Sequence, residues 1–377
     1  MGWSIHQPVG LIHYSPSLSY RGYTLFSTNR GNHTTLIDME GRICHQWHYD
    51  EGIGYSYLLP NGNLLCRTGP ETETDIVKDL GGSSSALVEL DWESNVVWSY
   101  RNPMLHHDFE RLPNGNTLVL LWDAMPKEFS SRVKGGYVSE DDPDQMLGDV
   151  IQEIMPDGTS VYQWRTEDNF DLDEDVVCPL ENRREWGHGN SLNVTPDGDF
   201  IVSYRRTNTV GIVDKATGAF KWKWGPNEIA HQHHPTWLDN GHILLFDNGA
   251  HGRGNGFSRI VEVDTESNEI TWQFAGSPPP SFYSFNISSA QRLPNGNTLI
   301  CEGAPGRIFE VSYNKNIVWE YINPFFALDP RSNGNSNATF RAHRYGPDHP
   351  ALRGKNLDPK NYEALNHLYA PGVGWVS

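Results

Sequence analysis

Two short hairpin patterns alternate along almost the whole chain, and an internal repeat of this kind restricts the fold more than any other feature of a sequence. The first pattern is strand, tight turn, strand: YLLPNGNLLCR, RLPNGNTLVLL, NVTPDGDFIVSYR, TWLDNGHILLFD and RLPNGNTLICE, with turn glycines Gly62, Gly115, Gly198, Gly241 and Gly296. Asn-Gly and Asp-Gly tolerate the positive φ that two-residue hairpin turns demand. The second pattern is a hairpin that ends in tryptophan: LIDMEGRICHQW, VELDWESNVVW, QEIMPDGTSVYQW, GIVDKATGAFKW, VEVDTESNEITW and FEVSYNKNIVW. These close on Trp47, Trp98, Trp164, Trp222, Trp272 and Trp319. The tryptophans are spaced 51, 66, 58, 50 and 47 residues apart. That is room for one four-stranded antiparallel sheet per repeat.

Six tryptophan hairpins stand against five glycine hairpins. The N-terminal stretch from Tyr20 to Phe26 resembles the strand after a glycine turn, so one blade is expected to take strands from both chain ends. Such closure removes the free sheet edges that an open array exposes. The expected fold is therefore all-β: a six-bladed β-propeller over residues 1–345, its N-terminal strand closing the last blade. A C-terminal extension, 346–377, is expected to pack on it. In an up-and-down blade both tight turns fall on one face and both longer loops on the other. The inserts at 123–148, 165–186, 248–258, 275–287 and 322–340 all follow second or outer strands, which builds up one face. Long loops on a rigid scaffold are where binding and chemistry concentrate.

Composition narrows the partners. Lys plus Arg is 29 and Asp plus Glu is 47, a net charge of −18. That excludes a basic grip on nucleic acid and adsorption to an anionic membrane. No apolar run approaches the length of a membrane span, and the N-terminus has no secretory pattern. The four cysteines (Cys44, Cys66, Cys178, Cys301) form no CxxC pair, which fits isolated thiols in a reducing cytoplasm. The expected location is cytoplasmic.

The chemistry-bearing residues cluster where each first strand begins, a few residues before its turn. HHDFERLPNGN supplies His107 after His106. WGHGNSLNVTPDGD supplies His188 and Asn190. HQHHPTWLDNG supplies Gln232, His233 and His234, and SSAQRLPNGN supplies Ser288 and Ser289. Arg205 lies on the second strand of the His188 blade. Converging imidazoles can act as nucleophile, proton carrier or metal ligand. Arg and Asn beside them can hold an oxyanion. Phe282, Tyr283 and Phe285, in one insert, offer aromatic faces. Arg341, His343, Arg344 and Tyr345, in FRAHRYGPDHP, form a basic-aromatic cluster placed after the last blade, to bind an anion or clamp the tail. His251 and Arg253 lie on a loop over the built-up face. Asp171-Leu-Asp-Glu-Asp175 lacks the sixth-position Gly and twelfth-position Glu of a calcium loop and reads as a solvated acidic turn.

These residues carry a family resemblance. HHDFERLPNGNTLVL, the H-x-N of WGHGNS, the Gln-His pair before the fourth turn, LLFDNG and SSAQRLPNGNTLICEGAPGRIFEV resemble bacterial aryl-sulfate sulfotransferases of the propeller type, over roughly residues 20–345. The resemblance implies direct sulfonate transfer from an aryl sulfate to a phenol through a sulfohistidine, without a nucleotide donor and without a cofactor. It places the nucleophile on His233, with His107, His188, Asn190 and Arg205 around the sulfonate. Ser288, His234 and Arg341 are added as substrate-binding residues. The implied partners are small aromatic molecules. The sequence departs from the family in lacking a Lys-Thr pair (Ser288 and Ser289 occupy that region), an extra N-terminal domain and an export signal. Two other classes fit the same residues. One is a lyase or hydrolase with Mn²⁺ or Zn²⁺ held by His107, His188, Gln232 and His233. The other is a propeller used only as a binding platform.

Overall fold

Each glycine turn joins two strands, and the residues around it explain why the PNGN pattern recurs. The first Asn folds back on its own turn: Asn61 Oδ1 accepts from the Asn63 N–H at 3.0 Å, and Asn114 does the same for Asn116. The second Asn reaches a glutamate on the third strand of its blade. Asn63 Nδ2 donates to Glu89 at 2.7 Å, Asn116 to Glu153 at 2.6 Å and Asn297 to Glu310 at 2.6 Å. Turn and third strand are thereby fixed in register by one buried side-chain contact.

The computed structural model describes residues 8–69, 77, 80–139, 145–252, 256–329 and 334–369. It is a six-bladed β-propeller of four-stranded antiparallel sheets. Blade 1 is Thr339–Tyr345, Tyr23–Thr28, His33–Ile37 and Ile43–His48. Blade 2 is Tyr55–Leu58, Leu64–Arg67, Ala86–Leu90 and Val96–Arg101. Blade 3 is Leu105–Arg111, Thr117–Ala124, Leu147–Ile154 and Ser160–Arg165. Blade 4 is Gly189–Val194, Phe200–Tyr204, Thr209–Val213 and Phe220–Trp224. Blade 5 is His233–Trp237, His242–Asp247, Arg259–Asp264 and Ile270–Ala275. Blade 6 is Ser289–Arg292, Thr298–Glu302, Arg307–Val311 and Ile317–Ile322, with Gly10–Tyr14 added as a fifth, outer strand. Among the described residues no helix is long and apolar enough to cross a membrane, and all four cysteines are buried free thiols.

The chain packs as two compact units. One holds blades 1, 2 and 6 with the C-terminal segment, and the other holds blades 3, 4 and 5. In both, the terminal tryptophan of a blade ties it to the next one. Trp47 Nε1 donates to the Asp91 carbonyl at 3.1 Å and Trp319 Nε1 to that of Met39 at 2.8 Å in the first unit. Trp164 Nε1 donates to the Gly218 carbonyl at 2.8 Å and Trp222 Nε1 to Asn268 Oδ1 at 2.7 Å in the second. Each acceptor sits in the turn between the third and fourth strands of the following blade.

The FRAHRY segment is not an appendage after the last blade. It is the first strand of blade 1, paired with Tyr23–Thr28. The correction has a simple cause: the two strands belong to opposite chain ends, so no glycine turn joins them to mark the hairpin. Arg344 is fully buried within it. Its guanidinium donates to Glu310 at 3.1 Å, to the Tyr20 carbonyl at 2.8 Å and to Thr24 Oγ1 at 2.7 Å, and it lies over the Trp319 ring at 4.6 Å. The C-terminal segment covers the outer strand of blade 1. Asn366 accepts from the Ile43 N–H at 2.6 Å and donates to the Ile43 carbonyl at 3.1 Å, pairing an edge that would otherwise be open. Asp175, expected on a solvated turn, is buried and pairs with Lys223 at 2.7 Å.

Two outcomes follow. Glu310→Gln strands the Arg344 charge in the core, and denaturant unfolding should show a loss of about 3–5 kcal/mol. His45 is buried, stacked 3.9 Å from Trp92; its Nε2 faces the Trp92 carbonyl at 2.9 Å and its Nδ1 the Tyr362 hydroxyl at 3.1 Å. Burial pushes its pKa from the usual 6.5 down to about 4, with the Lys355 charge acting in the same sense. The unfolded chain therefore binds the extra proton between those values. The stability His45 contributes is whole above pH 6.5 and drains away as the pH falls toward 4. His45→Phe should flatten that stretch of the stability–pH curve, by up to about 3 kcal/mol relative to wild type.

Candidate active site

The first strands of blades 3, 4 and 5 do not start smoothly. Pairing slips between Val119 and Leu120, between Gly189 and Ser191, and between His233 and Thr236. His107, His188, His231 and His234 all hold a left-handed backbone, at φ 45°, 57°, 58° and 55°. Bulges and left-handed residues of this kind re-aim side chains and collect at functional sites. Counting back from the turn glycines refines the repeat. His107 and His233 stand eight residues before Gly115 and Gly241, whereas His188 stands ten before Gly198. The blade 4 counterpart of His233 is Asn190, and the blade 5 counterpart of His188 is His231. The H-x-N of blade 4 and the H-x-H of blade 5 are one motif. The same count, made on the sequence, would have found His231.

Two of the expected imidazoles meet. His107 and His188 pack edge to face with ring centres 4.5 Å apart. His106 and His107 face each other through their Nδ1 atoms at 3.0 Å, and His106 stacks on Trp122 at 4.3 Å. His231 packs against His251 at 4.4 Å. Burial drives the His231 pKa far below its usual 6.5, and the charges of Arg205, His251, His188 and His233 push the same way.

His233 is buried. Among its contacts, Nδ1 lies 2.7 Å from Asn248 Oδ1 and 3.1 Å from the His231 carbonyl. Asn248 in turn donates through Nδ2 to the Ser284 carbonyl at 2.7 Å. Both partners of Nδ1 are acceptors, so the ring proton sits on Nδ1 and Nε2 keeps its lone pair. Neither Asn248 nor Ser284 was singled out by sequence.

The insert that follows blade 3 brings two carboxylates that sequence reasoning missed. Its strand Val177–Asn182 pairs with Gly135–Tyr137 of the other insert. Glu185 accepts from His188 Nδ1 and lies 3.5 Å from Arg206 Nε. Burial alone would raise its pKa, but the His188 and Arg206 charges bring it down to about 2. Glu181 accepts from Arg205 Nη1 at 2.7 Å; burial opposes its ionisation, and Arg205 and Arg206 outweigh it. Asp149 is the opposite case. Burial, then the Glu185 charge, raises its pKa to about 8, and it lies 3.5 Å from His106 Nε2.

The remaining expected residues are placed as follows. Asn190 is fully buried and its Nδ2 donates to the Gln232 carbonyl at 2.8 Å. Gln232 Nε2 donates to Ser203 Oγ and to the Tyr204 and Thr209 carbonyls. His234 is buried at the start of blade 5. Ser288 and Arg341 belong to the other unit. Ser288 Oγ accepts from the Gly303 N–H at 2.9 Å, and the Arg341 guanidinium lies 4.7 Å over the Tyr55 ring. Phe282 is core, packed on Phe246 and Phe274, and only Tyr283 and Phe285 of that trio are exposed. Arg253 lies outside the described residues. A cavity of about 500 Å³ in the first unit, lined by Phe26, His33, Phe325 and Tyr369 among others, contains none of the expected site residues.

The His107 ring is seated by the absence of a side chain at Gly82. Gly82 is left-handed at φ 83°, its carbonyl accepts from the His107 N–H at 2.8 Å, and a Cβ there would fall on the imidazole. Gly82→Ala should cost about 1–3 kcal/mol in thermal or denaturant unfolding, and should shift the His107 ring resonances in an NMR spectrum.

Comparison with known proteins follows this geometry. A protein of unknown function from Bacteroides caccae shares 14% identity, with 86% of this chain and 98% of that chain covered at a TM-score of 0.54. A functionally unknown protein from Desulfotomaculum acetoxidans shares 10%, with 87% and 100% covered at 0.50. At such identities the likeness is one of fold. No curated protein sequence matches. The family model for arylsulfotransferase (ASST) matches residues 80–324, more than half of the chain. The chain is therefore sulfotransferase-like, and it belongs to the arylsulfotransferase family.

Proposed function

We propose that the protein transfers a sulfonate group from an aryl sulfate to a phenolic acceptor, with His233 as the covalent carrier and no nucleotide donor. The observation that carries this reading is the hydrogen bond from His233 Nδ1 to Asn248 Oδ1, with Asn248 oriented by the Ser284 carbonyl. A nucleophilic imidazole needs one nitrogen bearing the proton and the other bare, and this chain of two bonds supports that tautomer.

In the first step His233 Nε2 attacks sulfur, the N–S bond forms and the S–O bond to the aryl group breaks. The phenolate takes a proton from the His107–His188 pair, whose rings are in contact. In the second step the same pair removes the acceptor's phenolic proton. The acceptor oxygen then attacks sulfur and the N–S bond breaks, so His233 is regenerated. Arg205 offers positive charge to the sulfonyl oxygens, with Glu181 holding its guanidinium. Asn190 serves the same oxygens less directly, because its amide is already tied to the Gln232 carbonyl.

The test is a chromogenic aryl sulfate assayed with and without added phenol. Wild type should release phenolate faster when an acceptor is present, and intact-mass measurement without acceptor should find one sulfonate on the chain. His233→Ala should lose both signals. Asn248→Leu should keep the fold and lower kcat by at least about 100-fold, the scale on which a positioned proton-bearing ring contributes. Undiminished transfer in His233→Ala, or no turnover across a broad panel of aryl sulfates, would overturn the proposal.

A further inference from the structure

Beside the proposed nucleophile lies a second constellation that sulfonate transfer does not use. Cys178, His231 and His251 each present one ligand-type atom within 4.8 Å of the others. Cys178 Sγ is 3.6 Å from His251 Nδ1. Glu181 Oε1 is 3.7 Å from His231 Nδ1 and 3.7 Å from His251 Nδ1. Sulfur and nitrogen bound to one tetrahedral zinc are separated by about 3.5 Å, given bond lengths near 2.3 and 2.0 Å. Cys178 Sγ and His251 Nδ1 thus already stand near that spacing.

A thiol hydrogen bond to His251 would account for the Cys178 contact alone. It leaves His231 unexplained. That side chain is entirely buried, and among the described residues neither of its ring nitrogens has a hydrogen-bond partner. Buried polar atoms are nearly always satisfied, and each exception asks for a bound water or ion. The donor set is one thiolate, two imidazoles and one carboxylate, which neutralises a divalent ion and suits zinc over the harder alkaline-earth cations. Arg205 remains on Glu181 as the outer partner that a ligating carboxylate ordinarily has.

We propose that Cys178, His231, His251 and Glu181 form a tetrahedral Zn²⁺ site, distinct from His107, His188 and His233. It has a structural consequence. The three contributing segments are the strand Val177–Asn182, the turn before blade 5 and the loop after its second strand. An ion shared by them would pin the backbone two residues ahead of His233.

The experiment is a Co²⁺ titration of the metal-stripped full-length protein, followed by Zn²⁺ competition and metal counting. Wild type should take up one Co²⁺ per chain with a thiolate charge-transfer band and tetrahedral d–d bands, and Zn²⁺ should displace it. Cys178→Ser should lose the charge-transfer band. His251→Ala, at an exposed position, should weaken binding more than about 100-fold, beyond the cost of losing an outer-sphere partner. His233→Ala should bind Co²⁺ like wild type while losing sulfonate transfer, which separates this site from the proposed reaction. Absence of the charge-transfer band in wild type, its survival in Cys178→Ser, or loss of Co²⁺ uptake in His233→Ala with retention in His251→Ala would each overturn the site.

Discussion

The indole at the end of a blade is the contact on which the architecture rests. A four-stranded sheet of this size cannot bury its own faces, so each blade needs its neighbour. A tryptophan supplies both parts of the solution. Its rings fill the gap, as the full burial of Trp47 and Trp319 shows, and its single N–H donates to the turn of the following sheet. The hydrogen bond gives the apolar contact a direction. The glutamate that receives the second Asn of PNGN then locks the same sheet internally. Blades are therefore rigid enough to carry strained residues at one end.

That rigidity is what the candidate site draws on. Left-handed backbone at four histidines is unfavourable for residues with a Cβ, and it persists only where the surroundings fix it. The electrostatics follow a single logic. Glu181 and Glu185 offset Arg205, Arg206 and His188, while burial and the Glu185 charge push the Asp149 pKa upward. Neighbouring carboxyl groups are thus pushed in opposite directions by differences in their surroundings.

Much of this was readable from residue spacing. The turn glycines and terminal tryptophans announced six sheets, and His107, His188 and His233 lie in or beside the bulged starts of three of them. What spacing could not reveal was carried by inserts and by chain ends, where the period is broken. Glu181 and Cys178 lie on an insert strand with no counterpart in other blades, and Glu185 lies in the same insert just after it. The FRAHRY strand lacks a turn to announce it, because its partner is more than 300 residues away in sequence. The roles of Asn248 and Ser284 depend on which atom faces which, and that is not a property of spacing at all. Phe282 illustrates the converse: an aromatic in an insert looked available for a substrate and is instead part of the core.

Blade 1 joins Thr339–Tyr345 to Tyr23–Thr28. On a ribosome Tyr23–Thr28 is made first and must wait for more than 300 further residues before its mate emerges. Blades 3, 4 and 5 are encoded as one continuous stretch and carry no such delay. Order of synthesis therefore becomes order of assembly, with one sheet left unfinished until Thr339–Tyr345 is made. During that interval a sticky strand edge is open to the wrong partner, which is a period of exposure to aggregation.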